Sequence, residues 1–352
     1  MHLKLVKSWV GPGGGMDGVR DITNAVIDLL AFPFVAVQNA PGLPSATASV
    51  NSGILLNMGS PGVKVGMEDR DMVKVIEEDL GKYIKILLEV GVPGIILWCL
   101  EHLELKDLGR PVAFLAKMIG HRPLAVQLVG KGLLDPTRMK RLLDRSSPRE
   151  VMLDVLMIVS DLARMDKGFY EYINRASLLE FFKGFLTHED PSVRSKACSA
   201  LGNMCRHSSY FYSSLARNQI IGLLIDRCSD PDKRTRKFAC FAIGNAAYHN
   251  DVLYEELRRS IPLLANLLLS SEEDKTKANA AGALSNLVRN SNKLCEDIVS
   301  KGALQSLLKL VAECSVVAVN SELFPVIGRL RQSPESTIAN YASVIINKVA
   351  DS

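Results

Sequence analysis

Apolar side chains along this chain fall into short blocks with helical rather than strand spacing, and several blocks are copies of one another. Three segments align: Ala200-Leu-Gly-Asn203-Met, Ala242-Ile-Gly-Asn245-Ala and Ala283-Leu-Ser-Asn286-Leu. Their asparagines lie 42 and 41 residues apart. Nine positions before each stands a basic residue (Arg194, Arg236, Lys277), and thirteen before stands an acid (Asp190, Asp232, Glu273). Agreement at several offsets at once defines a repeat of the armadillo/HEAT length class, roughly 40–47 residues. Each unit reads as a helix triplet. A short first helix (Tyr210–Arg217, Val252–Arg258, Lys293–Ser300) precedes an apolar second one (Ile220–Cys228, Ile261–Leu269, Ala303–Val311). The third helix carries the asparagine. Asp190-Pro191 and Asp230-Pro231 are expected to start third helices, because Asp caps free N–H groups and Pro fits the first turn. Small residues (Ala197, Ala200, Gly202; Ala239, Ala242, Gly244; Ala278, Ala281, Ala283) let neighbouring helices approach closely. Gly302 is a natural break between helices.

Weaker copies lie upstream. Val159-Ser-Asp161-Leu162 sits 42 residues before Asn203, and Phe114-Leu-Ala-Lys117-Met118 a further 44 before that. Ile95–Leu105 and Met139–Leu143 fit the second-helix slot. The expected architecture is therefore an all-α, armadillo/HEAT-type right-handed α-solenoid over 91–352, strongest at 190–312. Residues 1–90 form a less regular helical part, with helices at Asp17–Ala36 and Asp69–Val90. A Gly/Pro/Ser-rich loop covers 38–66, and Gly11-Pro-Gly-Gly-Gly15 is expected to be flexible. The last unit is out of register: Ile345-Ile-Asn347 resembles the signature but lies 61 residues after Asn286. Ala303–Val311 and Leu323–Leu330 both read as second helices with too little chain between them. Loss of roughly half a repeat around Ala318–Ser321 would account for this.

Composition narrows the functional classes. The chain has 352 residues, with 42 basic and 38 acidic side chains interspersed along it, for a net charge of +4. A dedicated nucleic-acid binder would carry a stronger basic excess, so none is expected as a partner. Seven cysteines without a C-x-x-C pair argue against a disulfide framework or zinc ribbon, and for buried free thiols in a reducing compartment. No signal peptide is evident and Gly94–Leu100 is too short to span a bilayer, so a cytoplasmic location without a membrane span is expected.

Cys198-Ser-Ala-Leu-Gly-Asn-Met-Cys-Arg-His-Ser, Asp230-Pro-Asp-Lys-Arg-Thr-Arg-Lys-Phe-Ala-Cys and Asp274-Lys-Thr-Lys-Ala-Asn-Ala-Ala-Gly-Ala-Leu-Ser-Asn-Leu-Val-Arg-Asn carry a more specific resemblance. They resemble the C-terminal armadillo region of the plant Fused-type serine/threonine kinases, and the likeness extends along essentially the whole chain. It implies a role in plant cytokinesis at the phragmoplast, where that region binds a kinesin, and a cytoskeletal location. The family's kinase domain is N-terminal and has no counterpart in this sequence, so kinase activity transfers to no residue here.

The residues themselves offer no catalytic set. There is no H-R-D or D-F-G tripeptide, and Gly11–Gly15 lacks the Lys-Ser/Thr of a phosphate loop. The six histidines form no H-x-x-x-H pair, and no cofactor or metal is expected. Cys198 and Cys205 read as core. Two groups remain as interaction candidates. Asn203, Asn245 and Asn286 either hold the backbone of an extended peptide in a groove or satisfy helix-terminal carbonyls of a neighbouring repeat; an amide can do both. Four residues before them stand Ser199, Phe241 and Gly282, where a nuclear-import cradle carries Trp. Only Phe241 is aromatic, and Trp9 and Trp98 are outside the register. Lys233, Arg234, Arg236 and Lys237 form the densest basic cluster. They are either a docking patch for an acidic partner, tubulin included, or a solvated helix start balanced by Asp230 and Asp232. Tyr210, Phe211 and Tyr212 are either interface anchors or core.

Three functions follow from this reading. The first is a protein-interaction scaffold with a protein partner, a phragmoplast kinesin by resemblance. The second is a fragment of an active serine/threonine kinase whose catalytic domain lies outside it. A nuclear-transport adaptor is disfavoured by the missing tryptophans.

Overall fold

The computed structural model describes residues 11–38, 67–144, 146–313, 328–334 and 336–350. Every regular element among them is helical. The chain divides into two compact units between Phe181 and Phe182. Of the expected loop at 38–66, Gln38 is helical and 39–66 lie outside the described residues, as do Cys314, the junction Ala318–Ser321 and most of Leu323–Leu330.

The first unit contains α1 (Gly11–Gln38), α2 (Met67–Val90), α3 (Val92–His102), α4 (Gly109–Ile119), α5 (Arg122–Gly130), α6 (Pro136–Leu142), α7 (Arg149–Met165) and α8 (Tyr170–Arg175). Helices α1, α4 and α7 stack in sequence, which extends the third-helix pattern upstream of the strong repeats. Phe34 is the anchor of α1. It is buried against the rings of Tyr83, Phe114 and His121, and the Tyr83 hydroxyl donates to the Leu30 carbonyl at 2.8 Å. So α1 and α2 share one compact unit with the helices that follow. The Gly11–Gly15 segment, expected to be flexible, is the start of α1. Pro12 sits in the first turn, where its missing N–H has no intrahelical partner to lose, and the amphipathic helix behind it propagates back through the glycines.

Helix α9 (Leu179–Leu186) leads into the second unit. There the triplets follow the expected order. Third helices α10 (Pro191–Met204), α13 (Lys233–Ala246) and α16 (Asp274–Asn286) stack on one another. Between them lie first helices α11 (Tyr212–Arg217), α14 (Tyr254–Leu257) and α17 (Cys295–Ser300), and second helices α12 (Ile220–Asp226), α15 (Ile261–Leu269) and α18 (Ala303–Glu313). Asp190 caps α10, accepting from the Ser192 amide at 2.8 Å, with Pro191 in the first turn. The cap of α13 is Asp232, accepting from Thr235 N at 2.9 Å, and not Asp230 as the Asp-Pro pair suggested. The corner into the second helix turns through left-handed backbone at Gln219 (φ 56°) and Gly302 (φ 74°).

The last helix, α19 (Ser336–Ala350), buries Ile338 and Ile345 against Leu308 and Ala312 of α18. Among the described residues it has no comparable packing on α16. It contacts a second helix without completing the stack of third helices.

Candidate interaction site on the third helices

Stacked third helices need small residues at the seam, and Gly202 shows how close the approach is. A Cβ built there would lie 2.5 Å from the Phe241 ring and 3.2 Å from the Ala242 Cα. Phe241 is therefore a seam residue, 4% exposed. That proximity brings side chains of one third helix within reach of the backbone of the one before.

The asparagines use this reach. The Asn245 Nδ2 donates to the Gly202 carbonyl at 2.9 Å, and Asn286 Nδ2 to the Gly244 carbonyl at 2.9 Å. Gly202 and Gly244 lie in the last turns of their helices, where carbonyls lack intrahelical partners. Asn203, Asn245 and Asn286 are all buried, Asn245 completely. Of the two roles open in the sequence, this geometry matches the satisfaction of terminal carbonyls, directed at the preceding repeat.

A second set of bonds closes the same seam. The Tyr212 hydroxyl donates to the Asn245 carbonyl and the Tyr254 hydroxyl to the Asn286 carbonyl. Each hydroxyl also accepts from a later amide, His249 N at 3.3 Å and Asn290 N at 3.2 Å. Beside them His249 Nε2 lies 3.1 Å from the Arg206 carbonyl, and Asn290 Nδ2 donates to the Tyr248 carbonyl at 2.9 Å. Burial pushes the Tyr212 phenol well above its usual range, which keeps it a donor. Sequence reading took Tyr212 as one of an aromatic trio. The signal that distinguishes it is period: Tyr170, Tyr212 and Tyr254 recur at 42 residues. Within the trio, Phe211 and Tyr212 are buried and Tyr210 is exposed.

The arginines nine positions before Asn203 and Asn245 have a structural task. Arg194 makes two 2.8 Å bonds to the Asp230 carboxylate and two 2.8 Å bonds to the His188 and Glu189 carbonyls. Arg236 repeats the arrangement one period on. It reaches Glu272 at 2.6 Å and the Asp230 and Pro231 carbonyls at 2.7 and 3.1 Å. Asp230 is fully buried and also accepts from Arg227. Burial alone would raise its carboxyl, but the Arg194 hydrogen bonds, the Asp232 amide and both guanidinium charges hold it below the ordinary aspartate value. An open cleft of about 390 Å³ adjoins this pair, lined by Asp230, Arg236, Leu263, Leu267 and Glu272.

The basic cluster is thus divided by the structure. Arg236 and Lys237 pair with Glu272 and Glu273 of the next repeat, Lys237 at 2.8 Å. Lys233 and Arg234 stay exposed, Arg234 lying 3.7 Å from Asp232. The cysteines Cys198, Cys205, Cys228 and Cys240 are buried and free, and burial lifts Cys205 to about 12. Such thiols pack rather than react. Cys295 is exposed.

Comparison with known proteins follows the same lines. The armadillo/beta-catenin-like repeat model matches residues 253–289 and the HEAT repeat model residues 178–208. The serine/threonine-protein kinase TIO of Arabidopsis thaliana is 69% identical over 99% of this chain. The chain spans 29% of that relative's length. The alignment runs over 384 positions, more than the 352 residues of the chain, so the relative carries residues here that this chain lacks. Among solved structures, a designed armadillo repeat protein matches at TM-score 0.55 and 18% identity, covering 73% of this chain and 99% of the design. Another, in complex with the peptide (KR)4, matches at TM-score 0.56 and 18% identity, covering 73% and 98%. Stacked third helices, repeat matches and these neighbours agree: the chain is an armadillo-repeat α-solenoid, homologous to the armadillo region of a Fused-type serine/threonine kinase.

Proposed function

We propose that this chain is a protein-interaction scaffold, the non-catalytic armadillo part of a Fused-type kinase system. The carrying observation is the stack of third helices, whose seam residues are bonded from one repeat to the next into a regular array. A rigid, repeated array of this kind suits an extended segment of another protein. By resemblance to the family, the partner is a phragmoplast kinesin and the setting is the cytoplasm and cytoskeleton of a dividing plant cell. The kinase activity in the name of the Arabidopsis relative belongs to that protein. A chain covering less than a third of it acts here as the region that positions a catalytic domain.

Affinity capture from dividing plant cells tests this reading. Recovery of a phragmoplast kinesin, competed by the wild-type chain and not by a basic nuclear-localisation peptide, is the expected result. Recovery of nuclear-import cargo instead would favour an adaptor, and recovery of no protein above background would remove the scaffold reading.

A further inference from the structure

Helix α1 is apolar on two sides, and one of them faces solvent. The inner side carries Ile27 and Phe34 into the core. The outer side carries Ile22, Leu29 and Phe32, which are 47%, 74% and 65% exposed. Ala25 and Ala36 stand among them and are exposed too. Of the large apolar side chains exposed among the described residues, five lie within 22–35 on this one helix. Single surface hydrophobics are ordinary, whereas a contiguous stripe marks an interaction surface.

The spacing says what kind of surface covers the stripe. Gly18, Ile22, Ala25, Leu29, Phe32 and Ala36 follow one another at alternating steps of four and three residues. The alternation continues back along the sequence through Gly15 and Gly11. A mean step of 3.5 residues keeps one seam turned toward a second helix lying lengthwise on the first, with side chains interlocking. A lipid surface asks only for an apolar arc, and does not select this period. The charged residues Arg20, Asp21 and Asp28 stand to the sides of the seam.

The sizes along the seam identify the covering helix as another α1. Glycine fills its first half, and the bulky Leu29 and Phe32 stand in its second. Turned end for end, one copy sets Leu29 against Gly18 of the other and Ile22 against Ala25. By register, Phe32 then meets Gly15 and Ala36 meets Gly11. Every large side chain faces a small residue. A parallel pairing would set Phe32 on Phe32 and Gly18 on Gly18, crowded at one end and hollow at the other. Charge agrees with the end-for-end arrangement. Asp28 bonds Arg110 of α4, and both side chains are exposed, 57% and 52%. The arrangement brings Asp21 of the other copy beside Asp28, so each Arg110 stands between two carboxylates, one from each chain.

We infer that two copies of this chain associate through α1, packed antiparallel along this seam. A two-fold axis between Ile22 and Ala25 repeats every contact, so the interface closes on two chains. The seam is about 38 Å long at 1.5 Å per residue, and a helix is about 10 Å wide. It therefore covers roughly 400 Å² of each chain, in the range of weak, reversible association. A dissociation constant on the order of micromolar follows. The inference is independent of the scaffold reading. Its consequence for a scaffold is two arrays per particle, which strengthens the hold on any partner presenting two segments.

Sedimentation velocity on the full chain, from about 1 to about 100 µM, tests this and is expected to show a monomer–dimer equilibrium. Leu29→Glu with Phe32→Glu puts carboxylates into the seam and should weaken association at least about tenfold. Val75→Glu with Ile86→Glu changes two exposed side chains of α2 and should leave it within about twofold. Gly18→Leu favours the helix but closes the space that receives Leu29, so it should weaken the dimer at least about threefold. Circular dichroism melts report whether each variant folds. If the double Glu variant unfolds, Leu29→Ser with Phe32→Ser replaces it, with a loss of at least about threefold expected. Orientation is read by oxidation in a Cys295→Ser background. Mixed Gly18→Cys and Leu29→Cys chains should cross-link, and neither should cross-link with itself. A chain still monomeric at about 100 µM, equal loss in the Glu pairs on α1 and α2, Leu29→Cys cross-linked to itself, or assembly beyond two chains would each overturn the inference.

Discussion

Helices α13 and α19 both end in an apolar run followed by asparagine, yet only one is a rung of the stack. In α13 the amide of Asn245 is buried and donates to the Gly202 carbonyl of the preceding third helix. In α19 Asn347 is exposed. The difference lies in what surrounds the asparagine. Nine positions before Asn245 stands Arg236, which ties the helix start to Glu272; nine before Asn347 stands Ile338, buried on α18. Thirteen before Asn245 stands the capping Asp232; thirteen before Asn347 stands Pro334. At α13 several groups act together across the seam: the Asp232 cap, Arg236 bonded to the next repeat, small residues, and the Tyr212 hydroxyl on the Asn245 carbonyl. The matching tetrapeptide is only one of these.

The buried ion pair should show the contrast most strongly. Asp230→Asn leaves Arg194 without its carboxylate in an enclosed site, and breaking a buried pair costs about 3–5 kcal/mol. Urea unfolding monitored by circular dichroism would read this as a large fall in the stability of the second unit. The pH dependence has a definite sign. The Asp230 carboxyl lies below its ordinary value when folded, so its contribution is present above about pH 4 and fades as pH falls through the lower, folded value. The gap between wild type and Asp230→Asn should therefore be full at pH 6 and narrow under acid conditions. A gap that widens below pH 4 would show that the pair does not hold the repeats together.

Next in size is the asparagine seam. Asn245→Ala leaves the Gly202 carbonyl buried without its donor, a loss of about 1–3 kcal/mol. Asn347→Ala should change stability by less than about 0.5 kcal/mol, as for a surface site. Equal effects at the two positions would erase the distinction between rung and end helix. Tyr254→Phe removes a hydroxyl that bonds the Asn286 carbonyl and keeps the ring, so about 1 kcal/mol is expected. Hydrogen exchange at the Asn290 amide, which donates to that hydroxyl, should speed up in parallel.

Much of this was legible in the sequence because a repeat prints its period. The 42-residue recurrence, the capping acids Asp190 and Asp232, the small seam residues and the boundaries of α15 all follow from spacing and local chemistry. The partners across the seam were not. Whether Asn245 faces a peptide or a carbonyl depends on how closely α10 and α13 approach, which Gly202 and Phe241 decide together. Asp230-Pro231 imitates a helix start, and only tertiary structure shows Asp230 receiving Arg194 from 36 residues upstream. The cluster Lys233–Lys237 looked uniform because Glu272 and Glu273, which take up Arg236 and Lys237, come one helix pair later. The tyrosine period was present in the sequence and was masked by the neighbouring aromatics.

The smallest effect probes where regularity ends. The corner before α12 turns through Gln219 at φ 56°, and the corner before α18 through Gly302 at φ 74°. Left-handed backbone crowds the Cβ of any L-residue and leaves glycine unstrained. Gln219→Gly should therefore stabilise the chain, by about 0.5–1 kcal/mol once the greater freedom of glycine in the unfolded state is counted. Gly302→Gln should cost a similar amount if the corner at the irregular end is held as firmly as the one inside the stack. The two exchanges, compared by thermal melting, measure that firmness directly. A stabilising Gln219→Gly beside a neutral Gly302→Gln would mean that α18, which among the described residues has no full rung beyond it, relaxes its corner to relieve the strain.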